Sequence, residues 1–142
     1  MKLLLRGKLA ALLGILVLLV SCRDRDASPS VKGEAEKTYA QFIVIRDVRM
    51  SAAENFLGHT VTYLDAKVTN AGAQAVVQVE LEMEFIDILN QVVLRETVRP
   101  VSLKTPPLKP GETRAFQSSF EHMPLDWNQG PPRFSVKSVQ LR

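Results

Sequence analysis

Val77-Gln78-Val79-Glu80-Leu81-Glu82-Met83-Glu84-Phe85 decides the fold. Apolar and polar residues alternate without a break, so an extended chain sets Val77, Val79, Leu81, Met83 and Phe85 on one face and Gln78, Glu80, Glu82 and Glu84 on the other. A helix would not separate them into two clean faces. The stretch predicts a half-buried strand, apolar inward and acidic outward. Its carboxylates, about 6.5 to 7 Å apart along one face, would suit calcium or a basic partner. The plainer reading is a solvated face that keeps the sheet soluble and discourages edge pairing.

Working outward, further strands are predicted at Tyr39 to Met50, Thr60 to Asn70, Gln91 to Val101, Thr113 to Glu121 and Arg133 to Leu141. Turn-forming residues separate them: Asn70-Ala71-Gly72, Asp87 to Asn90, Thr105-Pro106-Pro107, Pro110-Gly111 and Pro124 to Pro132. Ser51 to Gly58 is read as one helical turn or a disordered loop. Proline cannot donate to a ladder, so its clusters mark crossovers and edges. Pro107-Leu108-Lys109-Pro110 fits a PxxP pattern formally and is read as a crossover. Short strands, regular breaks and no long amphipathic helix predict an all-β, antiparallel sandwich of six to seven strands, immunoglobulin- or fibronectin-like, over residues 39–142.

The start of the chain is different. Lys2, Arg6 and Lys8 precede an apolar run from Leu9 to Val20 that ends at Ser21 and Cys22. The run is shorter than the roughly 20 apolar residues of a membrane-spanning helix, and the layout is that of a helical secretory signal peptide, residues 1–21; the alternative is an uncleaved anchor extended back to Leu3, with Arg6 and Lys8 snorkelling to the interface. Leu19-Val20-Ser21-Cys22 resembles the lipobox of bacterial lipoprotein precursors. That resemblance implies diacylglyceryl transfer to the Cys22 thiol, cleavage between Ser21 and Cys22, and a mature protein held by its acyl chains in the cell envelope. In Gram-negative lipoproteins an aspartate directly after the cysteine favours the inner membrane. Here that place is Arg23, with Asp24 next, which favours the outer membrane and a domain facing the periplasm. Residues 22–38, acylated cysteine included, then form a disordered tether, the competing reading being a short helix across Glu34 to Lys37. Its 16 residues from Arg23 to Thr38 have a reach of about 20 to 24 Å.

A second resemblance covers residues 39–142. Tyr63-Leu64, Val68-Thr69-Asn70-Ala71-Gly72, Phe85-Ile86-Asp87, Leu108-Lys109-Pro110-Gly111-Glu112 and Phe116 are similar, in order, to motifs of FxLYD-like domains and related uncharacterised envelope families. The resemblance implies the same sandwich and carries no catalytic residue. One departure is Ile88-Leu89-Asn90, where such hairpins often hold a glycine. Phe120 to Asn128 resembles a subset of such lipoproteins.

Composition narrows function. Lys and Arg number 18 against 15 Asp and Glu, but Lys2, Arg6 and Lys8 leave with the leader, so the mature chain is neutral. It has no basic surplus to bind phosphate, and nucleic acid is excluded as a partner. Cys22 is the only cysteine, so no internal disulfide forms and the domain relies on its core. His59 and His122 stand apart, short of the three or four ligands a metal needs. Ser118, Ser119, His122 and Asp126 suggest a hydrolytic triad, yet the serines lie within a strand and lack a nucleophile elbow.

No catalytic group, metal or cofactor is therefore expected. Trp127, flanked by Asp126 and Asn128 in a proline-framed loop, is the candidate binding residue, because tryptophan brings area and a donor at low entropy cost. The competing reading folds Trp127 back against Leu125 and Phe134 to plug the sandwich. The function expected is non-enzymatic: a lipid-anchored adaptor or accessory subunit that binds an envelope protein. The alternative is a carbohydrate- or peptidoglycan-binding module that stacks Trp127 on a sugar. A third reading is an enzyme whose residues gather from several loops.

Overall fold

The computed structural model describes residues 31–142. The signal peptide, the Ser21–Cys22 cleavage site, the acylated Cys22 and the first part of the tether lie outside the described residues. Among the described residues no helix is long and apolar enough to cross a membrane.

Six strands follow a short helical entry. Helix α1 spans Val31–Tyr39 and a 3-10 turn spans Ala40–Phe42, followed by β1 Ile43–Glu54, β2 Thr60–Asn70, β3 Val76–Ile86, β4 Val92–Val101, β5 Thr113–Phe120 and β6 Arg133–Leu141. They make two three-stranded antiparallel sheets, β1-β2-β5 and β4-β3-β6. The chain is an all-β sandwich. β1, β2 and β5 take the places of the A, B and E strands of an immunoglobulin-type sandwich, β3 and β6 those of C and F, with β4 beside C. β1–β2 and β3–β4 are hairpins within a sheet, whereas residues 71–75, 102–112 and 121–132 cross between sheets.

Period two governs the core. Leu64, Ala66 and Val68 of β2 face Val79, Leu81, Met83 and Phe85 of β3, and all seven are buried. A ladder irregularity between Val76 and Gln78 switches the inward face, so Val76 is fully buried and Val77 is not. Glu80, Glu82 and Glu84 point outward as expected, each against a cation: Arg99 at 2.8 Å, Lys137 at 3.0 Å and Arg95 at 2.9 Å. The acidic face is thus a neutral ladder of ion pairs. Two buried clusters, one near each end, share Ile45, Val98, Phe116 and Phe134 as packing neighbours, so the core is continuous.

Two expectations are corrected. The tether does not run to residue 38, because residues 31–39 are helical and α1 packs on β6. Glu36 Oε1 accepts the Leu141 amide at 3.2 Å. The segment has little apolar content of its own, so docking on β6 rather than intrinsic propensity supports it. Ser51 to Gly58 is neither a helical turn nor a disordered loop. Ser51 to Glu54 extend β1, with Ser51 opposite Tyr63 and Glu54 opposite Thr60, and a tight turn follows.

At the end where the chain enters, one buried polar knot joins four segments. Asn70 is fully buried. Its Oδ1 accepts the Tyr39 hydroxyl at 2.9 Å and the Gly72 amide at 3.0 Å, and its Nδ2 donates to the Gln74 carbonyl at 2.7 Å and the Leu108 carbonyl at 3.1 Å. Gly72 has to be glycine, since a Cβ there would overlap the Tyr39 hydroxyl. The 102–112 crossover is fixed here too: Leu108 is buried and exchanges backbone hydrogen bonds with Val76. That pairing removes the PxxP segment from any extended ligand role.

Candidate functional site

β1, β3 and β5 all run away from the entry end, so the β1–β2 turn, the β3–β4 turn and the 121–132 connection share the opposite end. The two turns are built alike. Asn55-Phe56-Leu57-Gly58-His59 and Asp87-Ile88-Leu89-Asn90-Gln91 each begin with a residue whose side-chain oxygen accepts two amides of its own turn. Asn55 Oδ1 takes Leu57 N–H at 2.9 Å and His59 N–H at 3.0 Å. Asp87 Oδ1 takes Leu89 N–H and Gln91 N–H, both at 2.8 Å. In each, the first residue's N–H donates to the carbonyl of the fifth at 2.9 Å. The fourth residue is left-handed in both, Gly58 at φ 76 and Asn90 at φ 67. Asn90 thus does the work of the missing glycine, as asparagine can. Each turn carries an apolar pair at its tip, where turn chemistry calls for polar residues.

The third connection is tied to both the β3 end and the core. Trp127 is half-buried, edge to face with Phe85 at 5.8 Å between ring centroids, and its Nε1–H donates to the Gly130 carbonyl at 3.1 Å. Phe85 in turn meets Phe120 at 5.1 Å. Asn128 N–H donates to the Ile86 carbonyl at 3.0 Å, and Arg133 reaches Asn90 Oδ1 at 2.8 Å, fastening the connection's end to the β3–β4 turn. Trp127 therefore plugs the sandwich as the competing reading expected, but on Phe85; Leu125 projects fully into solvent. Between this loop and the β1–β2 ribbon lies an open groove of about 440 Å³, lined by Met50, Thr62, Met123, Leu125, Trp127 and Gln129 among others.

Exposure concentrates here. Of seven large hydrophobic residues exposed among those described, five lie on these connections: Phe56 at 109%, Leu57 at 78%, Ile88 at 88%, Leu89 at 71% and Leu125 at 106%. Scattered exposed hydrophobics are ordinary, and five gathered on one end make that end the candidate interaction surface. Loops on a rigid sandwich end are also where recognition usually resides. The predicted binding residues fall at this end in unequal roles. Trp127 is a strut that also lines the groove, Asp126 is exposed, and Asn128 braces the loop by accepting Gly130 N–H at 2.8 Å. The tip residues were missed; the signal was apolar doublets inside two turn sequences.

The remaining candidates do not assemble. Ser118, Ser119 and His122 line an open cleft of about 400 Å³ beside Glu96, and Asp126 is not among its walls. No group of three or more His, Cys, Asp or Glu converges among the described residues.

The fold and this end define a class, a β-sandwich with an apolar loop end. No protein-family model matches the chain, and neither does a characterised protein or a solved structure.

Proposed function

We propose that the chain is a non-enzymatic, lipid-anchored envelope adaptor that holds a protein partner on its loop end. The observation carrying this reading is the gathering of Phe56, Leu57, Ile88, Leu89 and Leu125 at the end opposite the chain's entry. An anchor at Cys22 would leave that end facing away from the membrane. The sugar-stacking alternative is less well supported, because the Trp127 N–H and ring packing are used internally.

The test has two arms in intact cells. Cys22→Ala is expected to leave the membrane fraction and to lose the palmitate that the wild type incorporates. A chain that stays with membranes, beside a wild type lacking palmitate, refutes the anchor. Leu57→Ser with Leu89→Ser and Leu125→Ser is expected to keep its melting temperature, since exposed substitutions usually shift stability by less than about 0.5 kcal/mol. It should also lose the discrete crosslinked species formed by the wild type. Retention of that species refutes the loop end as the contact.

A further inference from the structure

We infer that the loop end is a preformed surface for a protein whose contact patch is apolar with a cationic rim; this rests on the adaptor reading and names its partner's chemistry. The apolar part consists of two like turns, one from each sheet, plus Leu125. Each turn is held by its own Asn55 or Asp87 carbonyl or carboxylate oxygen, so Phe56-Leu57 and Ile88-Leu89 are presented on ordered backbone. Little ordering cost remains for binding, as a stable interface requires. The groove between Met50 and Trp127 adds a recess beside the tips, suited to an anchor side chain from the partner.

Charge selects the occupant. Glu54, Glu121 and Asp126 are exposed around these tips, and Asp87 adds a fourth carboxylate within its turn. Over residues 50–62, 85–93 and 119–133 the only Lys or Arg is Arg133, which is spent on Asn90. A second copy docked end to end would set two acidic rims together, and an anionic lipid surface would be repelled in the same way. A partner with lysines or arginines around an apolar centre meets both features. Its association should be fast at low salt and slow as ionic strength rises.

The experiment places a photo-crosslinking amino acid, one site at a time, at Leu57, Leu89 and Leu125 of the full chain in its own cells. Leu103, exposed on the 102–112 crossover at the entry end, is the control. The expected result is one protein adduct shared by the three tip sites and missing from Leu103, with the captured peptide carrying apolar residues beside Lys or Arg. Glu121→Lys with Asp126→Lys, checked for an unchanged melting temperature, should cut adduct yield about tenfold or more. A shared protein adduct on an acidic or uncharged peptide, insensitive to the charge reversal, overturns the partner chemistry and leaves the adaptor reading standing. Adducts only to lipid, only to a second copy, or to nothing at all three tips overturn both.

Discussion

Phe85→Ala lowers the stability of the domain by about 3 to 5 kcal/mol, as loss of a fully buried aromatic does. Two ring contacts go with it, to Phe120 and to Trp127, each in the edge-to-face arrangement that adds about 0.5 to 1.5 kcal/mol beyond area. The consequence extends beyond stability. Trp127 loses the surface that seats it, so the 121–132 connection loosens, and Leu125 with it. Urea denaturation at pH 7 should show the lower midpoint. Tryptophan emission, which reports a single indole, should shift to the red in the variant's folded baseline. Phe85→Leu keeps most of the volume and should cost well under half as much. An alanine variant within about 1 kcal/mol of wild type, with unshifted emission, would contradict the role given to Phe85.

Asn70→Ala is expected to cost about 3 kcal/mol, through the four hydrogen bonds its buried side chain makes rather than through a void. Gly72 N–H loses its acceptor, and the Gln74 and Leu108 carbonyls each lose one of two donors, keeping the Tyr39 hydroxyl and the Val76 N–H respectively. The Tyr39 hydroxyl keeps Gln74, whose N–H donates to it at 2.9 Å. Tyr39→Phe should therefore be milder than Asn70→Ala. Amide exchange should speed up first at residues 71–75 and 102–112, the two crossovers the knot joins. If the denaturation midpoints of Asn70→Ala and wild type coincide, the knot does not hold this end together.

Much of the fold was legible because a half-buried antiparallel strand writes its two faces into alternate residues. β2 and β6 fall on their predicted residues, and β3 runs one residue further at each end than the predicted Val77–Phe85, with its period broken by the irregularity at Val77. Legibility failed where tertiary contact overrides local pattern. Tyr39 to Phe42 continue the look of a strand, yet Tyr39 ends a helix and turns inward to Asn70. Ser51 to Glu54 are all exposed and carry no apolar face, so their pairing with Thr60 to Tyr63 of β2 left no period-two signal in the sequence. The acidic face was legible as outward, but its neutrality came from Arg95, Arg99 and Lys137 on two other strands, which no single stretch reveals.

The site was less legible than the fold, for a topological reason. Trp127 was visible as a lone large aromatic, but the partner that seats it lies on β3 rather than at Leu125. Phe56-Leu57 and Ile88-Leu89 are far apart in sequence and only the antiparallel order of both hairpins puts them at one end. What local sequence did hold was the matching turn, Asn or Asp, two apolar residues, then Gly or Asn.

The central claim is that the loop end, and no other surface, is engaged in the cell. Amide hydrogen exchange on the chain in native membranes, before and after peripheral proteins are stripped from them, tests it most directly. Residues 55–59, 87–91 and 121–132 should exchange slowly before stripping and faster after it, while 102–112 stays unchanged. Equal rates at the three loops in both states, or protection that falls instead on 102–112, would contradict it.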